Sequence, residues 1–238
     1  MPYYYGFDWT YLVLVLPCVL LSLWASSNVN STFKKYAKQL SSRRITGADA
    51  AQRVLSANGV RGVRIERVSG NLTDHFDPRT NVIRLSDSVY DNTSTAAIGV
   101  ACHEAGHAVQ YAVGYGPIKL RAAIIPITNF GSKLAMPLIL AGFLFSGLGE
   151  LSYVIVDIGL ACFGLSFLFQ MVTLPVEFNA SRRALVAIDE GNLLTEEEFK
   201  GAKKTLSAAA MTYVAATAVA LAQLLRMIAL FGGRRRRD

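Results

Sequence analysis

A mainly α-helical, multi-span membrane protein carrying a small α+β unit at the membrane surface, a helix packed on a short antiparallel sheet, is what this sequence predicts. Three observations predict it. Of 238 residues 52% are hydrophobic, and the mean hydropathy is +0.33, too apolar for an ordinary soluble domain. Four long apolar runs, 9–25, 134–149, 151–174 and 206–231, approach the roughly 20 residues that a helix needs to cross the hydrocarbon layer. Between the first and second runs lies a polar stretch with strand-like alternation and turn signals, followed by an apolar helix that contains the pattern HExxH.

The first run has no basic stretch ahead of it, so we read it as a retained anchor. Lys34, Lys35, Lys38, Arg43 and Arg44 follow, a cluster of the kind that stays cytoplasmic, which puts the N-terminus outside. Thr46-Gly47-Ala48-Asp49 opens an amphipathic helix with Ala50, Val54 and Leu55 on one side, ending at Asn58-Gly59. Val63 and Ile65 alternate with Arg64 and Glu66 as in a half-buried strand. Ser69-Gly70-Asn71 turns the chain. Segments 72–76 and 81–85 are extended and joined by Asp77-Pro78-Arg79-Thr80, a set of turn residues, which predicts the antiparallel sheet.

The chemistry sits in the next helix, expected to start from Asn92, Thr93 or Ser94 and to stop at Gly114. Residues four apart on a helix are separated by about 400° of rotation, so His103 and His107 point the same way, one turn apart. Two imidazoles at this spacing suit a zinc ion. Glu104 is rotated by about 100°, placed to take a proton from water beside the ion rather than to be a third ligand. The alternative is a buried helix whose histidines only satisfy carbonyls. Two histidines and a carboxylate among small apolar residues make that arrangement costly. Cys102 lies beside His103 but around the helix from it and reads as a packing residue; Cys18, Cys102 and Cys162 are an odd set, which argues against a disulfide framework. His75, the remaining histidine, reads as a surface or hydrogen-bonding residue.

A catalytic zinc site keeps three protein ligands and an open position. The glycine and histidine that one zinc-peptidase class requires after the second histidine are replaced here by Gln110 and Val113, so an acidic residue must complete the set. If 134–149 crosses outward and 151–174 returns, the chain is back on its starting side at Pro175, two residues before Glu177. Pro175 suits the first turn of a new helix or a kink, and 176–188 reads as helical up to Gly191. Glu177 is therefore the expected third ligand.

HEAGH, the two-span hairpin and Leu174-Pro175-Val176-Glu177-Phe178-Asn179-Ala180-Ser181-Arg182-Arg183-Ala184-Leu185, with Leu72-Thr73-Asp74-His75-Phe76-Asp77-Pro78-Arg79-Thr80 upstream, resemble the YugP-like family of bacterial membrane zinc metallopeptidases. The likeness runs in order over nearly the whole chain. It implies a zincin-like unit of the gluzincin type, with one zinc ion held by His103, His107 and Glu177 and with Glu104 as base. The wider gluzincin pattern has Asp four residues after the glutamate, where this chain has Ser181; that serine can accept the imidazole N–H but without a charge, so either Asn179 or another acidic group orients a ligand histidine or the site is less tightly held.

The expected function is that of a membrane-bound zinc endopeptidase hydrolysing peptide bonds with a zinc-activated water and Glu104 as general base. Its substrates are polypeptides, with 81–85 offered as the exposed strand that holds them by main-chain pairing. Oxyanion donors are sought among Arg182, Arg183 and His75. The net charge of +7 falls near predicted membrane edges and points to lipid headgroups rather than nucleic acid. Thirteen basic residues near the predicted membrane edges (Lys34, Lys35, Lys38, Arg43, Arg44, Lys119, Arg121, Lys133, Arg182, Arg183, Lys200, Lys203 and Lys204) outweigh the four of 234–237, which places the site on the cytoplasmic side of a multi-pass cell-membrane protein. The chain divides into an anchor (1–28), a catalytic region (29–132), a transmembrane hairpin (133–174), a third-ligand helix and loop (175–205) and a last span with a basic tail (206–238). Two other readings compete: an intramembrane zinc protease of the site-2 type, and a zinc-stabilised membrane adaptor without activity.

Overall fold

The computed structural model describes residues 8–145, 147 and 149–231. The arginine run 234–237, and all but the last residue of the stretch ahead of the first apolar run, lie outside the described residues. Among the described residues six α-helices and three strands follow one another: α1 (Leu16–Tyr36, preceded by a π-helical turn, Tyr11–Val15), α2 (Gly47–Ala57), β1 (Arg64–Val68), β2 (His75–Asp77), β3 (Val82–Ser86), α3 (Thr95–Ala112), α4 (Gly116–Leu144), α5 (Glu150–Glu190) and α6 (Glu196–Phe231). Four of these helical stretches, Tyr11–Tyr36, Gly116–Leu144, Glu150–Glu190 and Glu196–Phe231, are long and apolar enough to cross a membrane. The protein is thus a mainly α-helical membrane protein with a small sheet.

Chain contacts divide it into two units, the first drawn from Met1–Trp24, Leu120–Leu174 and Tyr213–Asp238 and the second from Ala25–Lys119 and Pro175–Thr212. In the first unit large apolar side chains face outward: Val13, Leu20, Phe130, Leu144, Leu168 and Leu225 are all exposed. Lipid tolerates that surface and water does not. Small residues let α4 and α5 approach; a Cβ on Gly142 would lie 2.8 Å from the Ser152 carbonyl oxygen, and one on Gly159 3.1 Å from that of Ala135. Thr128 and Thr217 turn their hydroxyls back onto carbonyls of their own helices, so neither is left unpaired among apolar groups. Arg226 donates from Nε to the Asp8 carboxylate at 2.9 Å, with its guanidinium over the Tyr11 ring, so its charge is paired within the first unit.

The second unit has its own core, in which α2 and α3 pack on the sheet, closed by the last third of α5 and the start of α6. Thr46 caps α2 through a reciprocal capping box with Asp49, and the helix stops at Asn58 before Gly59 at φ 65°, as the sequence predicts. Val54 and Leu55 are buried in that core together with Ile98 and Val109 of α3. Gly47 is required: a Cβ there would meet the Val89 carbonyl oxygen at 2.3 Å.

The sheet has the order β1-β3-β2 and is mixed. β2 and β3 form the expected antiparallel pair across the 77–80 turn, but β1 lies parallel to β3, Ile65 opposite Ile83. A direct hairpin from β1 would place it antiparallel beside β2. The chain instead leaves β1 through Gly70 (φ 119°) and Leu72 (φ 56°), and Asp74 then accepts hydrogen bonds from the Ser86 backbone N–H and hydroxyl at 2.7 and 2.9 Å, tying the entry of β2 to the end of β3. This corrects a functional expectation. Segment 81–85 contributes the central strand, with both backbone edges already paired and Val82, Ile83 and Leu85 buried, so it offers no free edge; β2 does.

Pro175 starts no helix. α5 runs without interruption from Glu150 to Glu190, forgoing only the hydrogen bond that the proline nitrogen cannot donate. α4 likewise begins at Gly116, well before the apolar run at 134, and contains Pro126 and Pro137. Between these two helices Ser146 and Leu148 are outside the described residues.

Candidate metal centre

α3 starts at Ser94, whose hydroxyl accepts from the Ala97 N–H at 3.3 Å, and it ends before Gly114, at φ 67°. The core side of this helix is Ala97, Ala101, Ala105 and Ala108, small enough for neighbouring helices to come close. Closest is α5: a Cβ on Gly106 would sit 2.7 Å from the Ala180 carbonyl oxygen. The glycine of HEAGH is therefore a packing requirement. It lets α5 pass within reach of the two histidines.

At that crossing three donor atoms converge. Nε2 of His103 lies 3.2 Å and Nε2 of His107 3.4 Å from the same Glu177 oxygen, and the ligand atoms of all three residues fall within 4.8 Å of one another. The two rings meet edge to face, centroids 4.7 Å apart. Two imidazoles and a carboxylate, nearly enclosed and aimed at one point, make a donor set that suits zinc. Glu177 is 2% exposed, and a carboxylate so buried needs cationic or metal partners. The residues present fit the ion.

Each imidazole is oriented from behind. Nδ1 of His103 is 3.1 Å from the Ser181 hydroxyl, which lies one turn beyond Glu177 on the same face of α5. Nδ1 of His107 is 3.0 Å from Oε1 of Gln110, a fully buried residue. The amide of Gln110 is fixed in turn, because its Nε2 donates to the Val176 carbonyl at 2.8 Å and to Asn179 Oδ1 at 3.0 Å. With its NH2 so committed, Oε1 faces His107 and must accept. His107 then carries its proton on Nδ1 and presents the Nε2 lone pair to the cluster. Asn179 does not take the orienting part that was open to it beside Ser181; it accepts from Gln110 and from Arg183 Nε at 2.8 Å.

Gln110 is the residue that sequence reasoning missed. Its signal was a polar amide three residues after His107 on an otherwise apolar helix face. Gln110→Leu is expected to lower zinc affinity by about 10- to 100-fold while leaving the helix intact, read by competition against a chromophoric chelator.

Glu104 is buried, and its charge is felt by both His107 and Asp74. Burial works against the charged form of the His107 ring, yet the Glu177 hydrogen bond and the charges of Glu104 and Glu177 outweigh it and raise its pKa. Asp74 is raised by burial first, with the Glu104 charge adding to it, although its bonds to Ser86 pull the other way. Burial also pushes the Cys102 thiol up, and Cys102 is not among the converging donors. His75 is exposed on β2, its Nδ1 2.8 Å from the Thr73 carbonyl oxygen, and stands apart from the cluster. Beside it Phe76 packs edge-on against Tyr111 of α3, ring centroids 5.6 Å apart, so β2 touches the helix that carries His103 and His107.

Residues 11–232 match the family described as "Putative neutral zinc metallopeptidase". The chain belongs to this family. Among its relatives is the Bacillus subtilis (strain 168) protein described as "Putative membrane protease YugP", 46% identical over 222 residues that cover 93% of this chain and 96% of the relative. No solved structure matches. Membership of a zinc metallopeptidase family and four apolar helices together describe a membrane zinc protease.

Proposed function

We propose that the protein is a membrane-bound zinc endopeptidase in which His103, His107 and Glu177 hold the ion and Glu104 is the general base. The observation that carries this reading is the convergence of two Nε2 atoms and one buried carboxylate, within 4.8 Å, beside a second buried carboxylate one residue from the first ligand. When bound, zinc supplies Lewis-acid chemistry, acidifying water and polarising a carbonyl. Ser181 and Gln110 keep the two imidazoles in the orientation and tautomer that the ion needs. Glu104 takes the proton from the attacking water and returns it to the leaving amine. The surrounding alanines keep the site dry, which strengthens each of these electrostatic effects.

The substrate is a polypeptide held extended along β2. A free strand edge pairs with any main chain, which suits cleavage without a fixed side-chain pattern. Segments 1–28 and 206–238 act as outer spans, 133–174 as the hairpin, and 29–132 with 175–205 as the catalytic part. The basic residues flanking these spans put that part on the cytoplasmic side of the cell membrane. Cleavage falls outside the bilayer.

Metal removal is the test. Purified protein in detergent is expected to cut an unfolded polypeptide, to lose that activity to a zinc chelator and to regain it with added zinc, the cuts lying in extramembrane segments. Activity that survives chelation removes the mechanism. Cuts inside a substrate's membrane span favour the intramembrane reading instead.

A further inference from the structure

A cavity of about 460 Å³ in the second unit lies outside the cluster of metal-binding donors, and its lining includes Asn58, Asn179, Arg182, Arg183, Val186 and Glu190. Asn179, Arg183, Val186 and Glu190 recur at intervals of four, three and four residues, one face of α5. The wall is charged and its charges are unspent. Among the described residues Arg182 and Arg183 pair with no carboxylate, and Glu190 pairs with no cation. Arg183 is held in place by its Nε bond to Asn179, itself fixed by Gln110, which leaves the terminal guanidinium nitrogens preoriented.

The charges are also separated. Seven and eight residues divide Arg183 and Arg182 from Glu190, or about 10–12 Å along the helix at 1.5 Å per residue. Glu190 is the last residue of α5, where the helix dipole adds partial negative charge. One end of this wall therefore favours a carboxylate and the other an ammonium. A simple anion would leave Glu190 unmatched. A free amino acid holds its two charges too close together, whereas three extended residues span about 10 Å.

We infer that this cavity binds a short unblocked peptide of about three residues, its carboxylate on the guanidinium groups of Arg182 and Arg183 and its ammonium on Glu190. Both guanidinium groups line the cavity, and each offers the forked donors that a carboxylate prefers. Val186 and Ala187 supply an apolar strip between the charged ends. The inference rests on the peptidase reading only for the origin of such a peptide, since each hydrolysis creates one new carboxylate and one new amine.

The test is calorimetric titration of the full chain in detergent, in a Glu104→Gln background so that nothing is consumed, with Ala-Ala-Ala as the probe. One saturable site is expected, weakened about tenfold or more by C-terminal amidation and by Arg182→Ala, with no added loss when the two are combined. N-acetylation is expected to weaken binding to the protein with Glu190 and not to the Glu190→Gln variant. The blocked peptides need no variant, so the expectation stays open to refutation even if a substitution misfolds. Equal binding of free and blocked peptides overturns the inference. So does binding that vanishes on chelation, which would move the site to the metal centre, or inorganic phosphate binding as tightly and without regard to Glu190. A protein that binds the peptide in this way but hydrolyses nothing keeps the inference and loses the peptidase reading; one that hydrolyses but ignores the blocked ends does the reverse.

Discussion

Glu104→Gln is expected to keep one zinc ion per chain while turnover on an unfolded polypeptide falls by about 10²- to 10⁴-fold, the contribution of a positioned general base. Glutamine has nearly the same shape and cannot accept the proton. Metal content is spared because Glu104 is rotated by about 100° from His103 and is not among the three converging donors. The fold should be spared as well. Burial and the charge of Glu104 both raise the Asp74 carboxyl, so the ionised form of Asp74 is disfavoured in the native state above the ordinary carboxylate range. Neutralising Glu104 relieves that repulsion, and the melting temperature near neutral pH should hold or rise. Zinc analysis, a thermal melt and a turnover assay on one preparation read all three effects. The adaptor reading makes the opposite forecast: no functional change in Glu104→Gln and collapse in His103→Ala. Full turnover in the glutamine variant would remove Glu104 as base.

The parts of this molecule that were legible in its sequence are those fixed by local rules. Thr46 with Asp49, and Gly114, announce helix ends through capping and positive φ, and the structure places the ends there; of Asn92, Thr93 and Ser94 it is Ser94 that caps α3. The i, i+4 spacing of His103 and His107 needs only a helix to converge, and the hairpin arithmetic that returned the chain at Pro175 led to the same carboxylate that α5 brings to those rings. What was not legible depends on pairing between distant segments. Whether β1 joins β2 or β3 is decided by the path through Gly70 and Leu72 and by the clasp of Asp74 on Ser86, and no periodicity within a strand encodes it. Pro175 suits either a first turn or a kink, and nothing local chooses between them; α5 runs on through it at the cost of the one hydrogen bond that its nitrogen cannot donate. Gln110 stood in plain view as a departure from a motif. Its role emerged only when α5 supplied the Val176 carbonyl and Asn179 that lock its amide.

Glu177→Ala is expected to cost more zinc affinity than any change behind the ligands, beyond the roughly 100-fold ceiling typical of outer positions, and so to yield protein purified largely free of metal. Two imidazoles on one helix remain, but a catalytic site needs a third protein ligand, and among the described residues it is Glu177 of α5 that converges on them. Glu177→Asp sharpens the case. It keeps the charge and shortens the reach by one methylene, on a helix whose backbone passes so near Gly106 that a Cβ there would lie 2.7 Å from the Ala180 carbonyl oxygen. Aspartate should therefore restore only part of the affinity, while Ser181→Ala, which removes no donor, should lie between it and the native chain. Affinity falling in the order native, Ser181→Ala, Glu177→Asp, Glu177→Ala would tie the metal to this crossing of two helices. Stoichiometric zinc in Glu177→Ala would break that tie, and with it the claim that a carboxylate 70 residues downstream of His107 completes the centre.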